Sequence, residues 1–514
     1  MSPARVERIH FVGIGGSGMS GLAEILLTMG YMVSGSDVAE SDVTSRLRSL
    51  GATVFVGHTG ANVIGAQLVV VSSAVRPSNP EVRKARKLGI ATLKRGEMLA
   101  EIMRLRRGIA VAGSHGKTTT TSLIGHLLSV AGLEPTVIVG GLLRRIGTNA
   151  VLGSGTHLVA EADESDRSFL DLQPTIAVVT NIDREHLDCY SGLVDIRRTF
   201  LKFMRHVPFY GLAIVCGDDP NVRALLPQMR KRVLTYGFGE ENRLRASEIE
   251  PEGLAQRFVV EWNGDLFGEA QVNLPGRHNV LNALAAIAVG IELGIPQATC
   301  LQALGSFSGV GRRFELHEEV EGVLWVDDYG HHPTEIAATL ATARRVFDRR
   351  LVVVFQPHRY TRTQALAREF AEVLGDLDVL FLADIYPGGE KPLPGVRSDM
   401  ILDQIHALRD QTVHRVSDEV ETTQAVSAVL EPGDVLLTLG AGSVSRWAPK
   451  ILAAYAAKRG VPLGDLDGGG RSQARVSGSP VAPGDEPRSS DPHAREHASP
   501  GRAAESASTP RGSA

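Results

Sequence analysis

The most informative stretch of this sequence is Ala112-Gly113-Ser114-His115-Gly116-Lys117-Thr118-Thr119-Thr120-Thr121-Ser122. A short apolar run, Ile109 to Ala112, precedes the glycines, and a helical pattern begins at Ser122. A strand, a glycine turn and a helix start in this order direct several backbone N–H groups and a helix dipole at one point, which is how proteins bind phosphate. Lys117 adds a positive charge for phosphate oxygens, and the Thr118 hydroxyl is a ligand for Mg²⁺.

The loop departs from the strict phosphate-loop pattern, G-x-x-x-x-G-K-[ST], at one position. That pattern requires a glycine at position 111, where this chain has Val111, so the loop is the shorter form G-x-x-G-K-T. The structural alternative is a glycine-rich turn followed by an exposed lysine. Because a strand precedes the loop and a helix follows it, we favour phosphate binding.

Composition excludes several classes of protein. The 514 residues exceed what one core can hold, and they predict two to four domains. The net charge of -4 indicates no nucleic-acid partner, and the most apolar helical stretch, 280–291, is too short to cross a membrane. The three cysteines have no metal-binding spacing, and the N-terminus has no apolar leader, so we expect a cytoplasmic protein.

Apolar runs alternate with helical patterns along three successive regions. This alternation predicts an α/β fold with mostly parallel sheets in three domains, residues 1–105, 106–310 and 311–460. Residues 245–273 are less regular and predict a small antiparallel piece. The rest, 461–514, is predicted to be a disordered tail, because after Leu466 it contains no Leu, Ile, Met or aromatic residue to bury.

The first domain carries a second glycine turn, Gly13-Ile14-Gly15-Gly16-Ser17-Gly18, directly after the apolar run 9–12. Asp37 follows the next predicted strand, at the spacing of the acid that binds a ribose in dinucleotide-binding domains. An NAD(P)-dependent dehydrogenase is therefore an alternative. A dehydrogenase does not require a second phosphate loop at Lys117, so this turn is equally suited to a nucleotide-linked substrate.

Five further polar stretches follow predicted strands or begin helices. They are the acidic run Glu161–Asp166, the stretch Thr180–Asp188 with His186, the segment Leu274–Asn282 with Asn279, and a pair in the last domain, Asp327–Thr334 and Gln356–Arg362. Ligands of parallel sheets bind at such strand ends. A solvated acidic loop, a structural histidine and a helix N-cap at Asn279 remain the alternatives.

Taken together and in this order, these stretches resemble the Mur ligases over residues 6 to about 457. The Gly13–Gly21 turn, the Gly113–Thr121 loop, Asp327–Pro333 and Gln356–Thr363 resemble the member that adds the first amino acid, L-alanine. In that family the shorter loop is the normal form, which accounts for Val111.

The resemblance implies a Rossmann-like N-terminal domain for UDP, a central P-loop domain of ATPase type, and a Rossmann-like C-terminal domain that brings the amino acid. The implied reaction is the ATP- and Mg²⁺-dependent ligation of L-alanine to the carboxylate of UDP-N-acetylmuramate in peptidoglycan synthesis. A ligase that recycles a whole tripeptide onto the same sugar is the alternative within the family. A monomer or homodimer is expected.

The resemblance also assigns residues to each ligand. ATP would be held by Gly113, Ser114, His115, Gly116, Lys117, Thr118, Thr119 and Asn279. Mg²⁺ would be held by Thr118 and Glu161, and a second Mg²⁺ by His186. UDP-N-acetylmuramate and L-alanine would be bound by Gly15, Gly16, Ser17, Gly18, Met19, Ser20, Asp37, Ser72, Tyr329, His331, Arg359 and Arg362. Catalysis would use Lys117, Glu161, His186, His331 as a candidate base, and Arg312 or Arg313 near the transferred phosphate, of which Arg312 is preferred.

One feature of several Mur ligases has no counterpart here. Those members carry a carbamylated lysine one helix beyond the histidine motif, where this chain has Arg198-Thr199-Phe200 and the nearest lysine is Lys202. We therefore expect no carbamylation. How a second cation at His186 is completed stays open at this stage.

Overall fold

The computed structural model describes residues 6–72, 74–143, 148–186 and 189–460. The predicted tail 461–514 and the side chain of Ser17 lie outside the described residues. No helix in the described part of the chain is long and apolar enough to cross a membrane.

The N-terminal domain is a parallel five-stranded sheet in the order β3-β2-β1-β4-β5. Its strands are β1 (Arg8–Val12), β2 (Met32–Asp37), β3 (Thr53–Val56), β4 (Leu68–Val71) and β5 (Ala91–Lys94). Its helices are α1 (Ser17–Thr28), α2 (Asp42–Ser49), α3 (Pro80–Lys87) and α4 (Arg95–Arg104). The strand order reverses between β1 and β4, and this is the point at which sheets of this kind bind ligands.

The central domain is built on a ten-stranded sheet in the order β15-β14-β13-β12-β11-β10-β6-β9-β7-β8. Its strands are β6 (Arg107–Ala112), β7 (Thr136–Leu143), β8 (Thr148–Val151), β9 (His157–Glu161), β10 (Ile176–Val179), β11 (Leu212–Cys216), β12 (Val233–Gly237), β13 (Leu244–Glu252), β14 (Ala255–Trp262) and β15 (Asp265–Val272). Its helices are α5 (Lys117–Val130), α6 (Leu193–Arg205), α7 (Pro220–Arg223), α8 (Arg277–Glu292) and α9 (Gln297–Gly305). Strands β13 to β15 pair antiparallel, as the irregular stretch 245–273 predicted.

The C-terminal domain has a six-stranded sheet in the order β16-β17-β21-β18-β19-β20, parallel except for β16. Its strands are β16 (Glu315–Val320), β17 (Val323–Asp328), β18 (Leu351–Phe355), β19 (Val379–Leu382), β20 (Val413–Arg415) and β21 (Val435–Leu439). Its helices are α10 (Pro333–Val346), α11 (Tyr360–Leu374), α12 (Asp399–Leu408), α13 (Glu419–Val429) and α14 (Ala448–Lys458). The predicted α/β fold with three mostly parallel sheets is confirmed.

The centre of the molecule is strand β6, which lies between β10 and β9. Its residues from Ile109 to Ala112 are fully buried, as are the apolar residues of β10 and β11. Strands buried on both faces consist of continuous apolar runs, which is why these strands were recognisable in the sequence. Helix α5 packs against α8 on one face, so the loop between β6 and α5 is held on a rigid support.

Candidate functional site

The loop between β6 and α5 is closed by two glycines that no other residue can replace. Gly113 has φ +144°, and a Cβ atom there would lie 1.9 Å from Thr180 Oγ1. Gly116 has φ +80°, and a Cβ atom there would lie 2.6 Å from Asn282 Oδ1. The loop backbone therefore packs directly against neighbouring side chains, with the start of α5 behind it.

Lys117 lies at the mouth of this loop. Its ammonium donates hydrogen bonds to the carbonyl oxygens of Gly113 at 2.6 Å and Ser114 at 3.2 Å, and to Glu164 Oε1 at 2.7 Å. Burial opposes its charge, but Glu164, Glu161 and Glu185 outweigh burial and raise the pKa of Lys117 above its ordinary value. The loop thus carries a permanent positive charge where phosphate oxygens would bind.

The acidic run after β9 is structured rather than a solvated loop. Glu161 Oε2 accepts hydrogen bonds from Thr118 Oγ1 at 3.0 Å and from the Gly140 N–H at 2.7 Å. Asp163 forms an ion pair with Arg95 of the N-terminal domain at 3.2 Å. The two predicted ligands of Mg²⁺, Thr118 and Glu161, are therefore adjacent at the edge of the loop.

His186 has a strained backbone, with φ +54°, which a non-glycine residue adopts only when its surroundings hold it there. Its Nε2 lies 3.4 Å from Glu164 Oε1 and 3.7 Å from Glu185 Oε2. Glu164 Oε2 is buried and has no hydrogen-bond partner among the described residues. Hydroxyl, carboxylate and imidazole donors with an unused buried oxygen fit a divalent cation such as Mg²⁺.

A cavity of about 420 Å³ opens beside the loop, between the central and C-terminal domains. Its lining includes His115, Gly116, Thr119, Asn279 and Arg313. Asn279 lies in the first turn of α8, but Gly276 is the N-cap of that helix, so the N-cap alternative for Asn279 is wrong. The Asn279 amide donates to the Pro275 carbonyl at 2.8 Å and accepts from Asn282 at 3.0 Å, and these bonds fix its orientation at the cavity wall.

His115 joins the central domain to the C-terminal domain across this cavity. Its Nε2 lies 3.2 Å from Asp183 Oδ2, and its Nδ1 lies 3.2 Å from Glu335 Oε1 on α10. Burial favours the neutral imidazole, but the two carboxylates outweigh it and raise the pKa of His115 to about 10. The ring is therefore a cation that bridges the phosphate loop and α10.

The two neighbouring arginines of the C-terminal domain have different surroundings. Arg312 is engaged in the domain's own structure, because it pairs with Asp327 at 2.9 Å and donates to the Gly440 carbonyl at 2.6 Å. Arg313 lines the cavity between the central and C-terminal domains and lies 3.8 Å from Glu335. Arg313, rather than the preferred Arg312, is the arginine that the fold brings to the cavity, since consecutive residues point in different directions.

Tyr329 and His331 lie together at the end of β17. The Tyr329 ring contacts the guanidinium groups of Arg312 and Arg313, and its centroid is 5.4 Å from that of His331. His331 Nδ1 lies 3.0 Å from the Tyr329 carbonyl oxygen, which can only accept, so Nδ1 carries the proton and Nε2 keeps its lone pair. Burial lowers the pKa of His331 to about 4, which keeps the ring neutral at pH 7.

A smaller cavity, of about 50 Å³, is lined by the two arginines that were predicted to bind substrate. Arg359 and Arg362 line it together with Glu185, His186 and His332. Arg362 lies 3.6 Å from Glu185. The C-terminal domain thus presents two guanidinium groups next to the candidate cation ligands.

A third cavity, of about 780 Å³, lies at the strand-order reversal of the N-terminal domain. Gly15, Gly16, Asp37 and Ser72 line it. Asp37 Oδ2 accepts a hydrogen bond from the Gly15 N–H at 2.8 Å, so the carboxylate supports the turn.

Gly18, Met19 and Ser20, which were also predicted in this turn, are not among the described residues that line the cavity. The side chains of Met19 and Ser20 are buried, with 1% and 4% of their surface exposed. Gly18 packs against Arg95, since a Cβ atom there would lie 2.9 Å from Arg95 Cδ. At Gly18, Met19 and Ser20, in the first turn of α1, a ligand in the cavity could therefore be bound only by backbone N–H groups.

Several residues of the site were not singled out from the sequence. They are Glu164, Asp183, Glu185, Asn282, His332 and Glu335. Glu164, Asp183, Glu185 and His332 lie inside the polar stretches that were recognised, so position after a strand was the available signal. Glu335 carried no signal, because its partner His115 lies 220 residues earlier in the chain.

Comparison with known proteins identifies the class. Three family models match in succession: the Mur ligase family catalytic domain over residues 8–107, the Mur ligase middle domain over 111–290, and the Mur ligase glutamate ligase domain over 312–442. The chain belongs to the Mur ligase family.

Within this family, the chain is similar over most of its length to several individual ligases. The UDP-N-acetylmuramate–L-alanine ligase of Nitratidesulfovibrio vulgaris is 55% identical over 450 residues, which are 87% of this chain and 99% of the relative. The crystal structure of UDP-N-acetylmuramate–alanine ligase from Thermotoga maritima is similar with a TM-score of 0.74 at 32% identity, covering 88% of this chain and 99% of that one. A murein peptide ligase from Psychrobacter arcticus is similar with a TM-score of 0.67 at 26% identity, covering 87% and 98%.

Proposed function

We propose that this chain ligates L-alanine to the carboxylate of UDP-N-acetylmuramate, with conversion of ATP to ADP and phosphate, in peptidoglycan synthesis. The observation that carries the proposal is the phosphate loop with Lys117, bordered by the Thr118–Glu161 pair and opposed by Arg313 of another domain. The relatives from Nitratidesulfovibrio vulgaris and Thermotoga maritima, which bear the name of this activity, support it. An enzyme that uses ATP and a UDP-linked sugar is expected to act in the cytoplasm.

A carboxylate is a poor electrophile, so it must be activated before an amine can attack it. In the proposed mechanism a muramate carboxylate oxygen attacks the γ-phosphorus of ATP, the bond from that phosphorus to the β–γ bridging oxygen breaks, and the products are an acyl phosphate and ADP. Lys117 and the loop N–H groups bind the phosphate oxygens and stabilise charge on the transferring group. Arg313 approaches the same cavity from the C-terminal domain, so domain packing completes the positive lining and limits the access of water.

Thr118 and Glu161 would hold one Mg²⁺ and His186 a second, and these ions would supply charge neutralisation to the phosphoryl group when bound. Asn279 would contact the adenine, since an amide offers both a donor and an acceptor. The UDP moiety would occupy the N-terminal cavity at Gly15, Gly16, Asp37 and Ser72.

The amine of L-alanine then attacks the acyl carbon, and phosphate leaves. Arg359 and Arg362 would bind the alanine carboxylate. His331 is the proposed base, because its protonated Nδ1 leaves the Nε2 lone pair available to take a proton. With a pKa near 4 it is a weak base, and the proton must pass onward to solvent.

The decisive experiment is a phosphate-release assay with ATP, UDP-N-acetylmuramate and L-alanine, in which each component is omitted in turn. We expect release only with all three, and a loss of about a hundredfold or more in Lys117→Ala, the size typical for removal of one group that stabilises transition-state charge. Undiminished release by Lys117→Ala would contradict the assignment of the loop.

The same assay with a tripeptide in place of alanine tests the recycling alternative, and a separate fluorescence measurement tests the dehydrogenase alternative. Release with the tripeptide but not with alanine would identify a recycling ligase. A change in NAD(P)H fluorescence on mixing, without phosphate release, would identify a dehydrogenase.

A further inference from the structure

We propose that Glu164 exchanges partners between Lys117 and a divalent cation, so that the His186 cation site forms only after a nucleotide phosphate has drawn Lys117 away. The inference rests on the nucleotide-binding part of the proposed function. It concerns the order in which the ligands bind, and it names two carboxylates, Glu164 and Glu185, as further cation ligands beside His186.

Three ligand-type side chains converge at this point. One ligand atom from each of Glu164, Glu185 and His186 lies within 4.8 Å of the others. His186 Nε2 lies 3.4 Å from Glu164 Oε1 and 3.7 Å from Glu185 Oε2. Around Mg²⁺, with bonds of about 2.1 Å, adjacent ligand atoms are roughly 3.0 Å apart and opposite ones roughly 4.2 Å apart. Both separations fall between these two values. Both carboxylate oxygens therefore lie as close to His186 Nε2 as two ligands of one such ion do.

An independent observation points to a ligand. The Glu164 side chain is only 3% exposed, yet its Oε2 has no hydrogen-bond partner in the described part of the chain. A buried carboxylate oxygen without a donor is unfavourable, and in native proteins such an atom commonly serves an ion or a reacting group. A cation at the cluster would satisfy it.

The Lys117 ammonium competes with such a cation for the Glu164 carboxylate. Its ammonium lies 2.7 Å from Glu164 Oε1 and donates its other two hydrogen bonds to loop carbonyls, so all three donors are used. A phosphate bound in the loop competes for the same three donors. When Lys117 turns to the phosphate, Glu164 loses its counter-charge while remaining buried, and it then attracts a cation.

The other charges around the cluster favour this exchange. Three carboxylates, Glu161, Glu164 and Glu185, surround Lys117, and Arg362 neutralises Glu185 from the far side at 3.6 Å. With Lys117 directed at phosphate, the negative charges exceed the positive ones. Lys202, by contrast, is exposed on α6, so it supplies no group to this site.

The test uses Mn²⁺ as the probe and electron paramagnetic resonance of free Mn²⁺ as the readout. Lys117→Met removes the charge and keeps an unbranched side chain, so this variant is expected to bind one Mn²⁺ without any nucleotide, at least tenfold more tightly than the unaltered protein. Lys117→Met/Glu164→Gln is expected to lose that gain. The control is Lys117→Met/Asp166→Asn, because Asp166 is exposed and lies two residues after Glu164. This double variant is expected to keep the gain in Mn²⁺ affinity.

Equal Mn²⁺ affinity in Lys117→Met and Lys117→Met/Glu164→Gln would overturn the proposal, as would no gain in Lys117→Met. Since these arms contain neither ATP nor sugar, their failure would leave the proposed ligase activity standing. If Lys117→Met does not fold, Glu164→Gln decides with a non-hydrolysable ATP analogue present. Two bound Mn²⁺ in the unaltered protein and one in Glu164→Gln would support the exchange, and equal numbers would refute it.

Discussion

At the scale of single residues, substitution of Arg312 is expected to reduce mainly the stability of the protein, whereas substitution of Arg313 is expected to weaken mainly its interaction with ATP. Arg312→Ala removes the partner of Asp327, and although the Arg312 side chain is 28% exposed, that of Asp327 is only 2% exposed, so leaving this carboxylate without its partner is expected to lower the free energy of unfolding by about 1–3 kcal/mol. Arg313→Ala removes a cation from the cavity and is expected to raise the KM for ATP about tenfold or more, with a smaller loss of stability. Urea unfolding and steady-state kinetics measure the two effects.

Each arginine variant is the control for the other, since the substitutions are chemically identical and adjacent. A rise in the KM for ATP with Arg312→Ala alone would contradict the assignment of Arg313 to the nucleotide. A conservative Arg313→Lys is expected to recover part of the loss, because a lysine keeps the charge but not the planar group.

At the scale of an element, the β6–loop–α5 unit depends on Gly113. Gly113→Ala combines a forbidden backbone angle, φ +144°, with a Cβ atom 1.9 Å from Thr180 Oγ1, so we expect a loss of about 3 kcal/mol or more in the free energy of unfolding. Loss of nucleotide binding is expected in whatever folded protein remains. Chemical denaturation and calorimetric titration with an ATP analogue measure both.

Gly132→Ala, just beyond the end of the same helix, is the matched control. Its φ is +73°, but a Cβ atom there would meet nothing within 4 Å, so only the angular strain of roughly 1–2 kcal/mol applies. Equal losses in the two variants would mean that the close approach to Thr180 does not constrain the loop.

At the scale of the whole molecule, His115 is expected to make the packing of the C-terminal domain on the central domain dependent on pH, because the ring lies between Asp183 and Glu335. Its pKa rises from 6.5 to about 10 between Asp183 and Glu335. A group whose pKa is raised contributes its full stabilisation below pH 6.5 and loses it as the pH rises to about 10. We therefore expect domain packing to weaken progressively across that range, measured by energy transfer between dyes on the two domains.

His115→Asn is expected to remove this pH dependence. His406→Asn, at an exposed position of α12, is the control and is expected to keep it. A profile of His115→Asn identical to that of the unaltered protein between pH 6.5 and 10 would show that another group controls the packing.

Much of the fold was predictable because its central strands are buried on both faces. Strands β6, β10 and β11 are continuous apolar runs, and each of them was recognised from its residues. Strands β5, β16 and β20 lie at sheet edges, and nearly all of their residues are exposed or only partly buried, so they carry no fully buried apolar run and were not predicted. Burial is the main signal but not the whole of it, since the exposed edge strand β3 was recognised from Val54-Phe55-Val56 whereas the interior strand β12 was not recognised.

The amino-acid sequence by itself determined the three α/β regions, the phosphate loop and the order of polar stretches at strand ends. These features are local, since each depends on residues within one strand, turn and helix start. Only the tertiary structure decided that Arg313 rather than Arg312 reaches the cavity, that His115 pairs with Glu335, and that Glu164 lies between Lys117 and His186. These contacts join residues up to 220 positions apart, and no local pattern encodes the direction in which a side chain meets such a distant partner.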